Sequence, residues 1–533
     1  MFRNLRQELS RRRFVIGSLS AAAASGLVSP GTSQARGEGK ADARPGDPVA
    51  IGSRRELFVD DLLIDRLGGK AELRLGHPQP QEIVLKHDAP WEGSGSGYHS
   101  AFHDGERYRM YYKAWHLDVA PGKKLRTDAH PLYCCYAESL DGIHWLKPDL
   151  GLFEHNGSKA NNIVMTSGPL GPLQVDAGHP AVFKDDNLDA PAEARYKAFF
   201  RSSKPNGLLP FQSPDGLHWS PMSDAPVITN GAFDSQNLAF WDPTLGKYRA
   251  YWRYFTQGKP GIRAIRTATS PDFLHWGDPV DLTYTDSPHE ELYTNQVKPY
   301  ARAPHLLIGF PTRYTDRGWS TSMKALPEPE HREARAASSP RYGTAITDAL
   351  FMASRDGERF KRWNEAFLRP GIERPGTWNY GQQYLAWHPV ETKSRFEGAP
   401  PELSFYASES YWTGDSSEVR RYTMRLDGFV SLSAPMTGGE LVTRPLTFNG
   451  NRLTLNVSTS AAGSVRVELQ SPDGHPLPGF AEADCDELFG DSIDRAITWK
   501  QGEDLGSLAG KPIRIRFLLK DADVYSFQFH EDA

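Results

Sequence analysis

Cysteine is nearly missing from this chain: three residues in 533, at Cys134, Cys135 and Cys485. So few exclude a disulfide framework. Adjacent cysteines in an extended segment point to opposite faces, so Cys134 and Cys135 do not pair. Beyond Val28 there is no apolar run long enough to cross a membrane as a helix. An excess of one charge is also lacking. The 61 Lys and Arg stand against 66 Asp and Glu, well mixed, for a net charge of −5, which gives no reason to expect a nucleic-acid partner. No His-Glu-x-x-His, clustered Cys/His set or EF-hand loop is found, so neither a metal nor another cofactor has support. A Gly-x-Ser-x-Gly nucleophile elbow is absent too, since Gly95-Ser96-Gly97 lies in a loop ahead of a strand.

What the sequence does contain is a repeat. ESLDGIHW at Glu138–Trp145 returns as QSPDGLHW at Gln212–Trp219, as TSPDFLHW at Thr269–Trp276 and, more loosely, as SRDGERFKRW at Ser354–Trp363. Asp-Gly supplies a tight turn, because Gly tolerates positive φ and Asp bonds its own backbone. The Trp that follows is expected to pack back over the sheet, with Trp145, Trp219, Trp276 and Trp363 in equivalent places. Upstream of each copy lies a hairpin: Tyr98–Trp115, Gly178–Ser202, Ser235–Tyr254 and Tyr293–Tyr314. A fifth, Gly381–Trp412, leads into VRRYTMRLDGF. The unit is strand A, turn, strand B, loop, strand C, turn, Trp. Five such units closed in a ring make a five-bladed β-propeller.

Residues 1–35 read as a twin-arginine signal peptide, with Ser10-Arg11-Arg12-Arg13-Phe14-Val15 ahead of an Ala-rich apolar run, so the expected location is periplasmic or extracellular. Residues 36–50 are a linker rich in Gly, Pro, Ala and charge. Residues 51–437 form the expected propeller. Within it, short strands at Glu56–Asp65 and Ala71–Leu75 are candidates to complete the last blade. Two insertions, His116–Pro131 and Ser320–Arg341, suit either lids over a pocket or solvated excursions. From Gly438 alternating strands separated by turns predict a β-sandwich over residues 438–533. The fold class is therefore all-β: a five-bladed propeller followed by a C-terminal sandwich.

With its S-x-D-G-x-x-W blade motifs and trailing small sandwich, Glu56–Ala533 resembles the invertase and levanase families of glycoside hydrolases. The propeller alone is similar to the arabinanase–xylosidase families. The nearest resemblance is to exported bacterial proteins likened to the invertase N-terminal domain. It implies a glycosidase working on a carbohydrate at the centre of the ring. The invertase signatures (Trp-Met-Asn-Asp-Pro, Arg-Asp-Pro, Glu-Cys) are absent. Trp241-Asp242-Pro243 falls in an A–B hairpin, where Asp-Pro is turn chemistry. Action on sucrose or fructans is therefore not indicated, and the blade motif is a scaffold signature shared by several chemistries.

In each unit strands A and B are antiparallel, so the start of A and the end of B share one face of the ring. Ahead of strand A stand Glu92, Asp176, Asp234 and Glu290-Glu291. Strand B ends in Lys113, Trp115, Arg201, Arg253, Tyr254, Arg313, Tyr314, Glu409, Tyr411 and Trp412. Glycoside hydrolysis needs one carboxylic acid to protonate the leaving oxygen and a second carboxylate to activate water or attack the sugar. Asp176, Asp234, Glu291 and Glu409 are the catalytic candidates. Arg201, Arg253, Arg313, Tyr254, Tyr411, Trp412, Trp115 and His179 are the substrate-binding ones, through stacking on sugar faces and paired donors to hydroxyls or anions. Acids ahead of strands also commonly serve turn donors, and Arg253 or Arg313 equally suits a blade-to-blade ion pair. The alternative to a hydrolase is a glycan-binding propeller without turnover. Arg201, Arg253 and Arg313 at the ends of strand B point to an anionic or partly anionic polysaccharide as substrate.

Overall fold

The computed structural model describes residues 47–119, 125–127, 129–258 and 261–531. The signal segment and most of the linker lie outside the described residues, as does part of the first insertion. Asp47–Ala533 is one compact unit.

Five antiparallel sheets follow one another around a ring. Blade 1 pairs Gly97–His103, Tyr108–Ala114, Tyr133–Ser139 and Ile163–Thr166 in order, as strands A to D. Blade 2 pairs Leu173–Lys184, Tyr196–Lys204, Asn206–Ser213 and Ser220–Pro221, with Gly168–Leu170 added inside. Blade 3 pairs Leu238–Asp242, Lys247–Phe255, Arg263–Ser270 and Val280–Asp281. In blade 4 Lys298–Tyr300, Ala303–Gly309, Met352–Ser354 and Arg359–Arg362 carry Thr283–Thr285 as a parallel outer strand. Its hairpin continues upward as Thr312–Asp316 and Ala345–Ala349, and from that tip rise three short helices, α1 (Thr321–Ala325), α2 (Pro329–Ala336) and α3 (Pro340–Thr344).

Blade 5 pairs Val390–Thr392, Glu402–Glu409 and Glu418–Arg425, and its outermost strand is Gln79–Lys86. An early strand thus closes the ring, but not the one expected. Glu56–Leu57, Ile64–Gly69 and Glu72–Leu75 instead join the C-terminal sheet, pairing with Arg514–His530, Gly439–Thr443 and Val430–Ala434. Burial explains the choice. Leu57, Phe58, Val59 and Leu63 are all buried, and Phe58 packs against Phe517 and Phe527 with centroids 5.9 and 6.1 Å apart. The closing strand is mostly exposed and commits only Leu85 to the core opposite Val419, which suits an outer edge.

The C-terminal sheet is built on two long strands, Arg452–Gln470 and Arg514–His530, paired along their length. Ten extended residues span about 33 Å, yet the Phe517 and Phe527 rings of one strand are 5.6 Å apart. The strand therefore folds back at Lys520–Ala522, and its two halves face each other across an apolar core. All three cysteines are buried and free. Among the described residues no helix is long and apolar enough to cross a membrane.

The repeated motif forms the same cap in four blades. In the first, the Asp141 carboxylate accepts from the Ser139 hydroxyl and from the backbone N–H groups of Ile143 and His144, while Ser139 Oγ accepts from Gly142 N–H. Ser213/Asp215 and Ser354/Asp356 repeat the pattern, and Ser270/Asp272 repeats its carboxylate half. Each cap docks on a neighbouring blade. The Gly142 carbonyl accepts from Tyr406, the Asp215 carbonyl from Arg109 and the Gly357 carbonyl from Tyr251. Phe273 stands where the other copies have Gly, at φ 70°, a conformation costly for a side chain. Its ring is fully buried and stacks on Phe199 at 4.9 Å, which offsets that cost.

The fourth copy corrects one expectation. Counted from the Asp, the place of Trp145, Trp219 and Trp276 belongs to Phe360, three residues ahead of Trp363. Phe360 is fully buried against Tyr251 of blade 3, as Trp219 meets Tyr111 of blade 1.

Candidate active site

The starts of strand A and the ends of strand B do meet on one face, and there they form an aromatic cluster. Tyr98, Tyr293, Tyr314, Tyr380, Tyr384, Tyr411 and Trp412 are buried together, with Trp115 and Tyr342 packed at the edge. Tyr98 stacks on Tyr384 at 5.9 Å, Tyr384 on Tyr293 at 5.5 Å, and Tyr380 donates to the Tyr293 hydroxyl at 2.9 Å. Beneath them Gln236 and Gln296 close the axis. The Gln296 amide donates to Gln236 Oε1 at 2.6 Å, and the Gln236 amide reaches the carbonyls of Tyr98, His99 and Pro180. The insertions cover the cluster: His331 of α2 meets the Trp412 carbonyl at 2.7 Å, and Leu125 N–H reaches Ser338 Oγ at 3.1 Å, joining the two insertions.

Three candidate carboxylates ring this cluster, each on a cation. Asp176 faces Arg201 across the A–B ladder at 3.5 Å and holds His179 Nδ1 at 2.9 Å. Burial pushes its carboxyl up, but His179, the Gly178 N–H and Arg201 outweigh that and hold it at about 2. Asp234, well exposed, accepts from Arg253 of its own blade. Glu291 accepts from Arg263 of blade 3 and, at 2.5 Å, from Arg341 of α3. The Arg253 guanidinium lies 4.7 Å from the Tyr293 ring, and those of Arg263 and Arg341 lie 4.6 and 4.5 Å from the Tyr314 ring. Burial pushes the Tyr293 phenol up, yet Arg253, the Tyr380 and Tyr98 hydroxyls and Arg263 together bring it below the ordinary value.

Four expected site residues point elsewhere, and strand alternation explains two of them. Arg313 and Tyr314 are neighbours on an extended strand, so only one faces the centre. Tyr314 does, and Arg313 turns out to Asp348 (2.6 and 2.9 Å) and Glu290 (3.1 Å). In the same way Arg253 faces in, while Tyr254 lies under the Arg266 guanidinium at 3.9 Å on the outer side. Glu409 turns into a separate cleft of about 480 Å³ between blades 4 and 5, held by Arg374 (2.6 Å) and Arg420 (2.8 Å). Glu92 is buried between Tyr112 and Lys147 inside blade 1.

The sequence reading missed Arg263, Arg335, Arg341 and the tyrosines at the starts of strand A. A tyrosine just ahead of or within the start of strand A (Tyr98, Tyr293, Tyr384) was the available signal. The centre is also strained. Of twelve non-glycine residues with positive φ among the described residues, Tyr98, Gln296, Trp378, Gln383, Ser410 and Trp412 lie in or beside it. Such conformations cost about 1–3 kcal/mol each and gather where a site is preorganised.

No protein-family model matches the sequence, and no curated protein matches it. Solved structures similar to the chain include an N-acetylgalactosamine deacetylase from F. plautii in complex with blood group B trisaccharide, at 12% identity over 66% of this chain and 94% of that one, TM-score 0.41. A thermostable family-43 glycoside hydrolase is similar at 15% identity over 63% and 92%, TM-score 0.37. A family 117 glycoside hydrolase from the marine bacterium Zobellia galactanivorans is similar at 12% identity over 66% and 90%, TM-score 0.36.

Proposed function

We propose that the chain is an exported carbohydrate-active enzyme that breaks a glycosidic bond in an anionic poly- or oligosaccharide at the centre of the ring. The observation that carries this reading is a set of buried arginines with donors left over. Arg253 is 3% exposed and Arg335 fully buried, yet Nε and Nη1 of the first and Nη1 of the second have no acceptor among the described residues. A buried donor without a partner costs about 1–3 kcal/mol. Burial draws even the Arg335 guanidinium down to about 10. Both border the aromatic cluster, Arg253 on Tyr293 and Arg335 on Trp412 at 5.9 Å. A sulfate or carboxylate on a sugar supplies the missing acceptors in the planar geometry that guanidinium favours. The rings offer apolar faces to the same sugar, and Asp176, ionised at neutral pH, suits the base or the attacking carboxylate. Export rests on the twin-arginine pattern at Arg11-Arg12.

The test is a reducing-end assay on sulfated and uronate-rich polysaccharides, their desulfated or neutral counterparts, and aryl glycosides. Wild-type protein should cleave an anionic glycan, with kcat/KM falling as salt screens the charge over about 8 Å. Asp176→Asn should lose about a hundredfold, and Arg253→Ala should lose more on the charged glycan than on its neutral counterpart. Equal losses on both would make this a pocket for neutral sugars. Binding without cleavage would make it a recognition module.

A further inference from the structure

A proton donor for the leaving oxygen is not evident among the three carboxylates, since each already ends on a cation. One ionisable pair at the centre is free of such a partner. Lys113, at the end of strand B in blade 1, is 4% exposed and has no carboxylate within ion-pair distance among the described residues. Its ammonium donates to the Tyr411 hydroxyl of blade 5 at 2.7 Å and lies over the rings of Tyr98 (4.8 Å) and Trp115 (5.1 Å). Tyr411 stacks on Trp412 at 5.6 Å, inside the cluster the sugar would enter. Around Lys113 stand Tyr98 and His99 on strand A, Trp115 just past the end of its own strand, Cys134 opposite it on strand C, Asp176 of blade 2 and Tyr411 of blade 5. His99 and Cys134 are both neutral near pH 7, the first drawn down to about 3 by burial and Lys113, the second pushed up by burial.

We propose that Tyr411 is the group that protonates the glycosidic oxygen, with Lys113 positioning and recharging it. The inference rests on the glycosidic reading above. As the bond from the anomeric carbon to oxygen breaks, the Tyr411 hydroxyl gives its proton to the departing oxygen and the Lys113 ammonium restores it. Water adds its oxygen to the anomeric carbon. Its proton passes to Asp176 and from there to the neutral amine of Lys113. One water is consumed, two hydroxyls are formed, and the three side chains end as they began. Burial brings the lysine down to about 7, with Asp176 limiting the fall. An ammonium there is half charged at neutral pH, and that is the range in which a general acid transfers protons best.

The experiment measures kcat/KM against pH on 4-nitrophenyl and 2,4-dinitrophenyl glycosides carrying a uronate or sulfate, for wild type, Tyr411→Phe, Lys113→Met and Lys113→Arg. Wild-type activity on the nitrophenyl series should fall as pH rises through about 7. The variants should lose about a hundredfold or more on that series and regain most of it on the dinitrophenyl series, whose leaving group needs no proton. Lys113→Arg keeps the charge but does not release a proton, so it should behave like Lys113→Met; it also serves if the Met variant fails to fold. Equal losses on both series, or a wild-type profile flat across pH 7, would overturn the pair and leave glycosidic cleavage standing. A wild type that opens none of these bonds, nor those of the polysaccharide panel, would overturn the reading itself and the pair's part in it.

Discussion

The rim of the propeller and its centre are built on opposite plans. At the rim the Ser-x-Asp cap recurs in four blades with the same carboxylate acceptor, and nearly every polar atom in it has a partner. At the centre only blades 2 and 3 share a residue pattern. Blade 1 brings a lysine, blades 2 and 3 an Asp–Arg pair, blade 4 a Glu held from blade 3 and from α3, and blade 5 aromatic rings. Donors there are left unmatched and backbones strained. A repeated geometry needs a repeated sequence, whereas a ligand without five-fold symmetry needs five different neighbours. Stability should therefore sit at the rim and chemistry at the centre.

The largest effect should come from relieving the centre. The folded-state value of Lys113, about 7, lies below the ordinary lysine value of 10.5, so between these limits the unfolded chain binds more protons. Stability must then rise with pH across that window, by at most about 1.4 kcal/mol per pH unit from this one group. Lys113→Met should remove that slope and leave a protein more stable than wild type at pH 6, the gap narrowing toward pH 10. Denaturant midpoints at four or five pH values would show it, and parallel curves would refute it. Next in size is a rim substitution: Phe360→Ala, in the slot that Trp fills elsewhere, should cost about 3–5 kcal/mol, whereas Trp363→Ala, partly buried and outside that slot, should cost clearly less. If the order is reversed, the fourth blade does not follow the others. Smallest is Asp215→Ala, which strips one cap of its acceptor and should cost about 2 kcal/mol. Its kcat/KM at a temperature where it stays folded should be unchanged.

The same contrast explains what the sequence could disclose. The cap is local, its bonds spanning two and three residues, so its residues stand side by side in the chain and their recurrence reveals the blades. Antiparallel pairing also fixed which residues share a face, and Asp176–Arg201 and Asp234–Arg253 are pairs of that kind. Alternation within a strand then decides which of two neighbours looks inward, and that sent Tyr254 and Arg313 outward. Arg335 and Arg341 come from the helices of an insertion with no repeat to align it, and Glu291 reaches across to another blade. Contacts of that range leave no local trace. The closing strand was obscured for a similar reason: Glu56–Leu75 is the more apolar candidate, and apolarity took it into the C-terminal core instead.

That early segment has a practical consequence. Val49–Gly52 pairs with Leu446–Phe448, strands within residues 56–75 are stitched into the C-terminal sheet, and the next strand, Gln79–Lys86, zips the last blade. The apparent boundary near Gly438 is therefore not a place to cut. A fragment ending there would leave Ile64–Gly69 and Val430–Ala434 as bare edges, and a fragment starting there would lack four of its strands. Expression of either half alone should yield a sticky, incompletely folded product. The N-terminal forty residues of the described chain act as a drawstring, whose loss would loosen the ring and the sheet together.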